Sequence, residues 1–240
     1  VRERGIRQPL IVRREGGAIR RYVHLGTGNY HVGNTRAYTD WGLLSCNPDM
    51  GLDVHDVFNE MTGLGQVGPL RKLVQSPFSF FDWLLQRIDA EIEAARRGEP
   101  AWIKLKVNSL SERRVIEALY RASQAGVDVE LWVRGICCLR PGVPGVSDRI
   151  RVYSLIGRHL EHHRVYCFCG GGDEIVFCGS ADLMPRNLFY RVEVAFPVEA
   201  PALKARVMSE SFDPDVRDDH CVWSLGSDGV YSVAEPAADA

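Results

Sequence analysis

The sequence is poor in lysine. Its 29 basic side chains include only Lys72, Lys104, Lys106 and Lys204, and the other 25 are arginine. It has no apolar run near the roughly 18 residues a membrane span requires. No apolar stretch of a secretory signal follows Val1-Arg2-Glu3-Arg4. It has no Cys-x-x-Cys pair. The seven cysteines, an odd number, fall at irregular spacings, which predicts reduced thiols and a cytoplasmic setting. Zinc is excluded on the same ground, since no second Cys/His pair at ligand spacing joins Cys167 and Cys169. A Walker loop and a Gly-x-Ser-x-Gly elbow are also missing. So is a ladder of aromatics interleaved with basic residues, which argues against single-stranded nucleic acid as a partner.

What remains is an ordinary soluble composition. The 240 residues are 45% hydrophobic and 25% charged, enough for one large domain or two modest ones. Net charge is −2, unevenly spread. Residues 1–40 carry eight Arg against Glu3, Glu15 and Asp40, a net of +5, and residues 211–240 carry seven acids against Arg217, a net of −6. Arginine forks suit phosphate and carboxylate, although an arginine-rich proteome explains the bias equally well.

Two strands, 9–13 and 19–25, are predicted around Glu15-Gly16-Gly17, the second running into Gly26-Thr27-Gly28-Asn29. Residues 36–45 give mixed signals, and Asn47-Pro48 opens a helix to Met61. The run Gly63 to Pro69 reads as a linker, which places a boundary between domains 1–68 and 69–240. Beyond it the pattern is α/β. A helix is predicted over 78–97, a strand over 102–107, a helix capped by Ser111 and stopped at Gly126, and a strand over 127–133. Strand, helix, strand at this spacing makes the two strands parallel. Strands 150–155, 163–169, 174–179 and 190–196 follow, the middle two joined by Gly170-Gly171-Gly172-Asp173, and then a helix over 200–211.

Several constellations carry chemistry. Side chains two apart share a strand face, so His162, Arg164, Tyr166 and Phe168 face one way, with Val165 and Cys167 opposite. A His and an Arg together at a strand start can hold a phosphoryl oxygen and move a proton, although a surface His beside a surface Arg is the commoner meaning of such a dipeptide. Arg134 stands at the carboxyl end of a parallel strand, where ligands of open α/β sheets gather, although a strand-end arginine in solvent explains it equally well. Gly179-Ser180-Ala181-Asp182 before Pro185-Arg186-Asn187 resembles a phosphate seat. Arg191 and Glu193 would share a face of the next strand, and a turn with an internal ion pair is the locally favoured explanation of this segment. His24 precedes two glycines that expose backbone N–H groups, a weak signal by itself.

Together these segments resemble the bacterial long-chain polyphosphate kinase family. The resemblance rests on Arg21-Tyr22-Val23-His24-Leu25-Gly26-Thr27-Gly28-Asn29-Tyr30, on Thr35 to Asp40, on Lys106-Val107-Asn108-Ser109-Leu110, and on Val133-Arg134-Gly135 through Pro141. It continues through Leu160-Glu161-His162-His163-Arg164-Val165-Tyr166 and Ser180 through Asn187, in order from about residue 10 to 234. It implies an α/β fold of two phospholipase-D-like lobes with mixed sheets flanked by helices, the first truncated. It implies reversible transfer of the ATP γ-phosphate to polyphosphate. Tyr38, Arg134 and His162 would contact nucleotide or phosphate, joined by Arg164, Arg186 and Arg191. His162 would be the catalytic proton donor or acceptor, with His24 a further active-site histidine. Mg²⁺ would arrive with ATP on ligands outside this chain. ATP/ADP and polyphosphate would be the partners, with no nucleic acid and no membrane span, and a homo-oligomer is left open. The family's phosphohistidine lies in a His-x-Lys segment about nineteen residues before the position of His24, where this chain has Gly5-Ile6-Arg7. The chain therefore reads as a fragment or a decayed copy. Three readings follow: the C-terminal part of a kinase, a phosphate-binding remnant, and a phospholipase-D-like hydrolase. The last is least favoured, because that chemistry takes a histidine from each half.

Overall fold

The computed structural model describes residues 11–15, 17–33, 35–63, 68–213 and 222–233. The N-terminal part forms strands β1 (Ile11–Glu15), β2 (Ala18–Gly26), β3 (Tyr38–Thr39) and β4 (Gly42–Ser45) and helix α1 (Pro48–Met61). Next come β5 (Val74–Ser76), α2 (Phe80–Arg96), β6 (Trp102–Val107), α3 (Arg113–Gln124), β7 (Asp128–Val133) and β8 (Ile150–Leu155). The C-terminal part holds β9 (Leu160–Glu161), β10 (Arg164–Phe168), β11 (Ile175–Gly179), α4 (Pro185–Phe189), β12 (Glu193–Pro197), α5 (Pro201–Phe212), β13 (Val222–Leu225) and β14 (Tyr231–Val233).

A nine-stranded mixed sheet, ordered β14-β13-β8-β7-β6-β10-β11-β12-β5, forms the frame. β6, β7 and β8 run parallel, as the strand-helix-strand spacing requires, and β10 returns antiparallel beside β6. Alternation sorts the two faces. Ile103, Leu105, Val129, Leu131, Tyr166 and Phe168 pack under α2 and α3. Trp132, Val165, Cys167 and Phe196 face the other way, where they share a core with Val23, Leu25, Met50 and Val54 of the N-terminal part and Val207 and Phe212 of α5. Each fully buried Leu or Ile contributes about 1.5–3 kcal/mol of hydrophobic stabilisation. The N-terminal sheet, β1-β2-β4, therefore lies against the large sheet through a single apolar layer.

Local signals explain the element ends. Asn47 Oδ1 accepts from the amides of Asp49 (2.9 Å) and Met50 (3.2 Å), and Pro48 occupies the first helical turn of α1. The fully buried Asp53 of α1 accepts from the backbone N–H groups of Arg71, Lys72 and Leu73, which pins the chain as it enters β5. Three expectations shift. The cap of α3 is Glu112, whose carboxylate accepts from Arg114 N, while Ser111 N donates to Leu183 O. Residues 36–45 divide into β3 and β4, because Asp40 and Trp41 turn away to pair with Thr27. The strand predicted from residue 190 starts at Glu193.

Candidate functional site

The carboxyl ends of β6 and β7 and the start of β10 meet at one sheet edge. Asn108, Arg134 and His162 each lie just past or just before those strands. Across this edge a two-residue parallel ladder joins β3 to β9, and Thr39 O accepts from the N–H groups of both His162 (3.1 Å) and His163 (3.2 Å). That ladder sets Tyr38 and Asp40 against His162.

The imidazole of His162 is enclosed. Its Nδ1 lies 3.0 Å and 3.1 Å from the two carboxylate oxygens of Asp40, and the Tyr38 ring stands 4.8 Å away, centroid to centroid. A carboxylate accepts and does not donate, so Nδ1 carries a proton, and the Arg164 Nη1 donor 3.0 Å from Nε2 faces a lone pair there. Thr27 fixes the carboxylate in turn. Its hydroxyl donates to Asp40 Oδ1 at 2.7 Å and accepts from Trp41 N at 2.9 Å. A Cβ on Gly28 would fall 2.1 Å from Asp40 Oδ2, so the second glycine of the loop makes room for the acid.

Arg164 is buried and heavily engaged. Nε and Nη2 meet the two oxygens of Asp182 at 3.2 and 3.1 Å, and Nη1 donates to His162 O at 2.9 Å and lies 3.0 Å from His162 Nε2. The guanidinium expected at a phosphate is held here by Asp182 and stands under His162. Asp182 Oδ1 also accepts from Asn108 N at 2.7 Å. The Asn108 amide donates to His162 O at 3.3 Å and accepts from Arg134 Nε. Arg134 is half-buried and, among the described residues, has no carboxylate partner. Burial, followed by the nearby Arg164, lowers its pKa, while Asp182 and Tyr38 act in the opposite direction.

The other expected residues lie outside this cluster. His24 sits on the face of β2 away from Val23 and Leu25, with Nε2 3.1 Å from the Tyr30 hydroxyl. It does not touch His162. The connection runs through Thr27, three residues on, to Asp40 and then to His162. Arg186 is exposed within α4 and Arg191 is exposed just past it. Arg191 precedes β12 and, among the described residues, pairs with no acid. Glu193 instead accepts from Ser180 Oγ (2.5 Å) and Asn187 Nδ2 (2.7 Å), a correction to the expected Arg191–Glu193 pair. Gly5-Ile6-Arg7 lies outside the described residues. Sequence reasoning missed Asp40, Thr27 and Asn108 as site residues. All three stand inside the family-like motifs, but only the fold brings them to His162.

Comparison with known proteins places this geometry. The fold is that of the C-terminal part of a polyphosphate kinase from Porphyromonas gingivalis, whose crystal structure matches with a TM-score of 0.85 at 37% identity, over 92% of this chain and 34% of that one. Residues 73–240 match the model of polyphosphate kinase C-terminal domain 2 and residues 6–67 that of C-terminal domain 1. The chain belongs to the polyphosphate kinase family. Polyphosphate kinases of Neisseria meningitidis serogroup C and Pseudomonas aeruginosa are 52% and 50% identical to it, over 95% and 96% of this chain and 33% of each relative. The chain thus spans about a third of the length of the curated relatives it matches.

Among the described residues no three His, Cys, Asp or Glu side chains gather where a metal ion would bind. The two carboxylates at the cluster are engaged, Asp40 by His162 and Thr27 and Asp182 by Arg164. These residues do not fit a resident Mg²⁺. No described helix is long and apolar enough to cross a membrane.

Proposed function

We propose that this chain supplies the C-terminal phosphoryl-handling part of a polyphosphate kinase, which moves the terminal phosphoryl group of ATP to polyphosphate and back. The observation that carries the reading is the pairing of a cation without an acid partner, Arg134, with a histidine whose proton is directed by Asp40. Phosphoryl transfer depends mainly on positioning and charge neutralisation. Arg134 offsets negative charge on the transferred group. His162, its Nδ1 proton held on Asp40, takes up or delivers a proton at Nε2 once Arg164 Nη1 gives way. Tyr38 offers a ring face beside it for a nucleobase. Mg²⁺ comes bound to the nucleotide phosphates, and the setting is cytoplasmic. His24 is a further active-site histidine, carried on β2 three residues before the Thr27 that holds Asp40. The division into domains 1–68 and 69–240 is supported by the separate family matches on either side of residue 68.

A second reading, phosphate binding without transfer, draws support from Gly5-Ile6-Arg7 at the position of the family's nucleophilic segment. Labelled ATP separates the two. Under the first reading the 240-residue chain binds nucleotide and forms no acid-labile phosphohistidine, and joining it to the remaining domains with His and Lys at residues 5 and 7 restores labelling. Labelling of the chain itself that is lost on His24→Ala or His162→Ala would show that the nucleophile is assigned wrongly. Restored domains that bind but still take no label would leave the binding reading.

A further inference from the structure

Two arginines flank His162, and their partners differ in charge. Arg164 meets a carboxylate through two parallel bonds. Arg134 meets an amide, Asn108 Oδ1, through its Nε alone. The amide orientation is fixed from both ends: Arg134 donates, so oxygen must face it, and His162 O accepts, so nitrogen must face that carbonyl. The backbone is fixed as well. Gly135 N donates to Asn108 O at 2.8 Å, and a Cβ on Gly135 would fall 2.7 Å from that oxygen. Asn108 N is held by Asp182. Asn108 is therefore bonded to the Arg134–Gly135 segment, to the main chain of His162 and to the acid that anchors Arg164.

We propose that Asn108 is a positioning residue for phosphate recognition, which aims Arg134 with a neutral acceptor so that its full charge is left for the phosphoryl oxygens of the substrate. This rests on the phosphate-binding reading above and deepens it. An aspartate of the same shape could accept from Nε but would cancel the charge it aims, and it could not donate to His162 O. A hydrocarbon side chain would leave the charge intact but unaimed. The choice of amide over acid thus divides the work between the two arginines: the acid-paired one supports His162, and the amide-paired one meets the ligand.

The test is calorimetric titration of the 240-residue chain with long-chain inorganic polyphosphate at several salt concentrations. Wild type is expected to bind less tightly as salt rises. Asn108→Asp is expected to bind at least about tenfold more weakly, the scale of one charge-assisted bond. Its log–log salt slope should be shallower by about one ion, as for Arg134→Ala, and adding Asn108→Asp to Arg134→Ala should cost nothing more. Asn108→Leu should weaken binding while keeping the wild-type slope. Wild-type binding matched in affinity and slope by Asn108→Asp overturns the inference alone. So does an equal loss of slope in Asn108→Leu, since shape and not charge would then be the cause. No binding by wild type overturns the phosphate-binding reading and the inference with it. Should Asn108→Asp not fold, NMR of wild type decides. The Arg134 Nε–H is expected to exchange slowly and to stay in place when polyphosphate shifts the Nη signals. An Nε–H exchanging as fast as that of an exposed arginine overturns the proposal.

Discussion

The surroundings of His162 and those of His24 follow opposite plans. His162 is buried, and its ring, carbonyl and N–H meet Asp40, Arg164, Asn108 and Thr39. His24 is half-buried and rests on one hydroxyl, that of the exposed Tyr30. The first neighbourhood is a closed polar network at a sheet edge, where low dielectric strengthens each bond and makes any missing one costly. The second is the open face of strand β2, just ahead of the Gly26–Gly28 loop. A histidine that must keep a defined tautomer belongs in the first setting, and one that must be reached or covered by another segment belongs in the second.

Substitutions can break or sharpen this contrast. The largest effect is expected for Asp182→Ala, which leaves Arg164 buried without its acid and the backbone N–H of Asn108 without its acceptor. Losing one partner of a buried pair costs about 3–5 kcal/mol, to be read from urea denaturation. A loss under about 1 kcal/mol, the range of an exposed pair, would mean that the network is not a unit. Asp40→Ala comes next, at about 1.5–3 kcal/mol for charge-assisted bonds. It should also abolish the downfield His162 Nδ1–H signal in NMR spectra, and survival of that signal would remove Asp40 as its partner. His24→Ala is expected to cost about 0.5–1 kcal/mol, a single exposed hydrogen bond. A cost equal to that of Asp40→Ala would erase the difference between the two neighbourhoods. Smallest is Arg191→Ala, an exposed site with no acid partner among the described residues, expected within about 0.5 kcal/mol of wild type. Thermal unfolding checks it, and a large drop would mean that Arg191 is held by a partner after all.

Much of the fold was legible because it rests on short periodicities. The alternation from His162 to Phe168 sorted the two faces correctly, with Tyr166 and Phe168 in one apolar layer and Val165 and Cys167 in the other. The parallel β6–β7 pair followed from strand-helix-strand spacing. The hairpin β13–β14 went unread, although Gly226 to Gly229 between Trp223 and Tyr231 is a turn signal, because its strands are short and embedded in an acidic C-terminal stretch. Arg134 and His162 could be singled out from strand ends. The partner of each could not, since Asp40 lies 122 residues from His162 and Asn108 lies 26 from Arg134. The partner of Arg164 was hidden for a related reason: a sequence shows a positive charge but not the buried acid that pairs with it.

The ladder between β3 and β9 is only two residues long on each side, yet it joins Tyr38 to Leu160 and Thr39 to Glu161. In kinetic terms it is a long-range closure, whose entropic cost grows with the logarithm of the loop and is met only when both sheets already exist. Its few bonds cannot hold the ends together alone, so the pairing of Asp40 with His162 is expected to form late and to be among the first broken in a partial opening, which hydrogen exchange at the His162 and His163 amides would read. The Asp40 carboxylate and the His162 ring then meet only when both parts of the chain have assembled, so their contact reports on the whole fold rather than on either part.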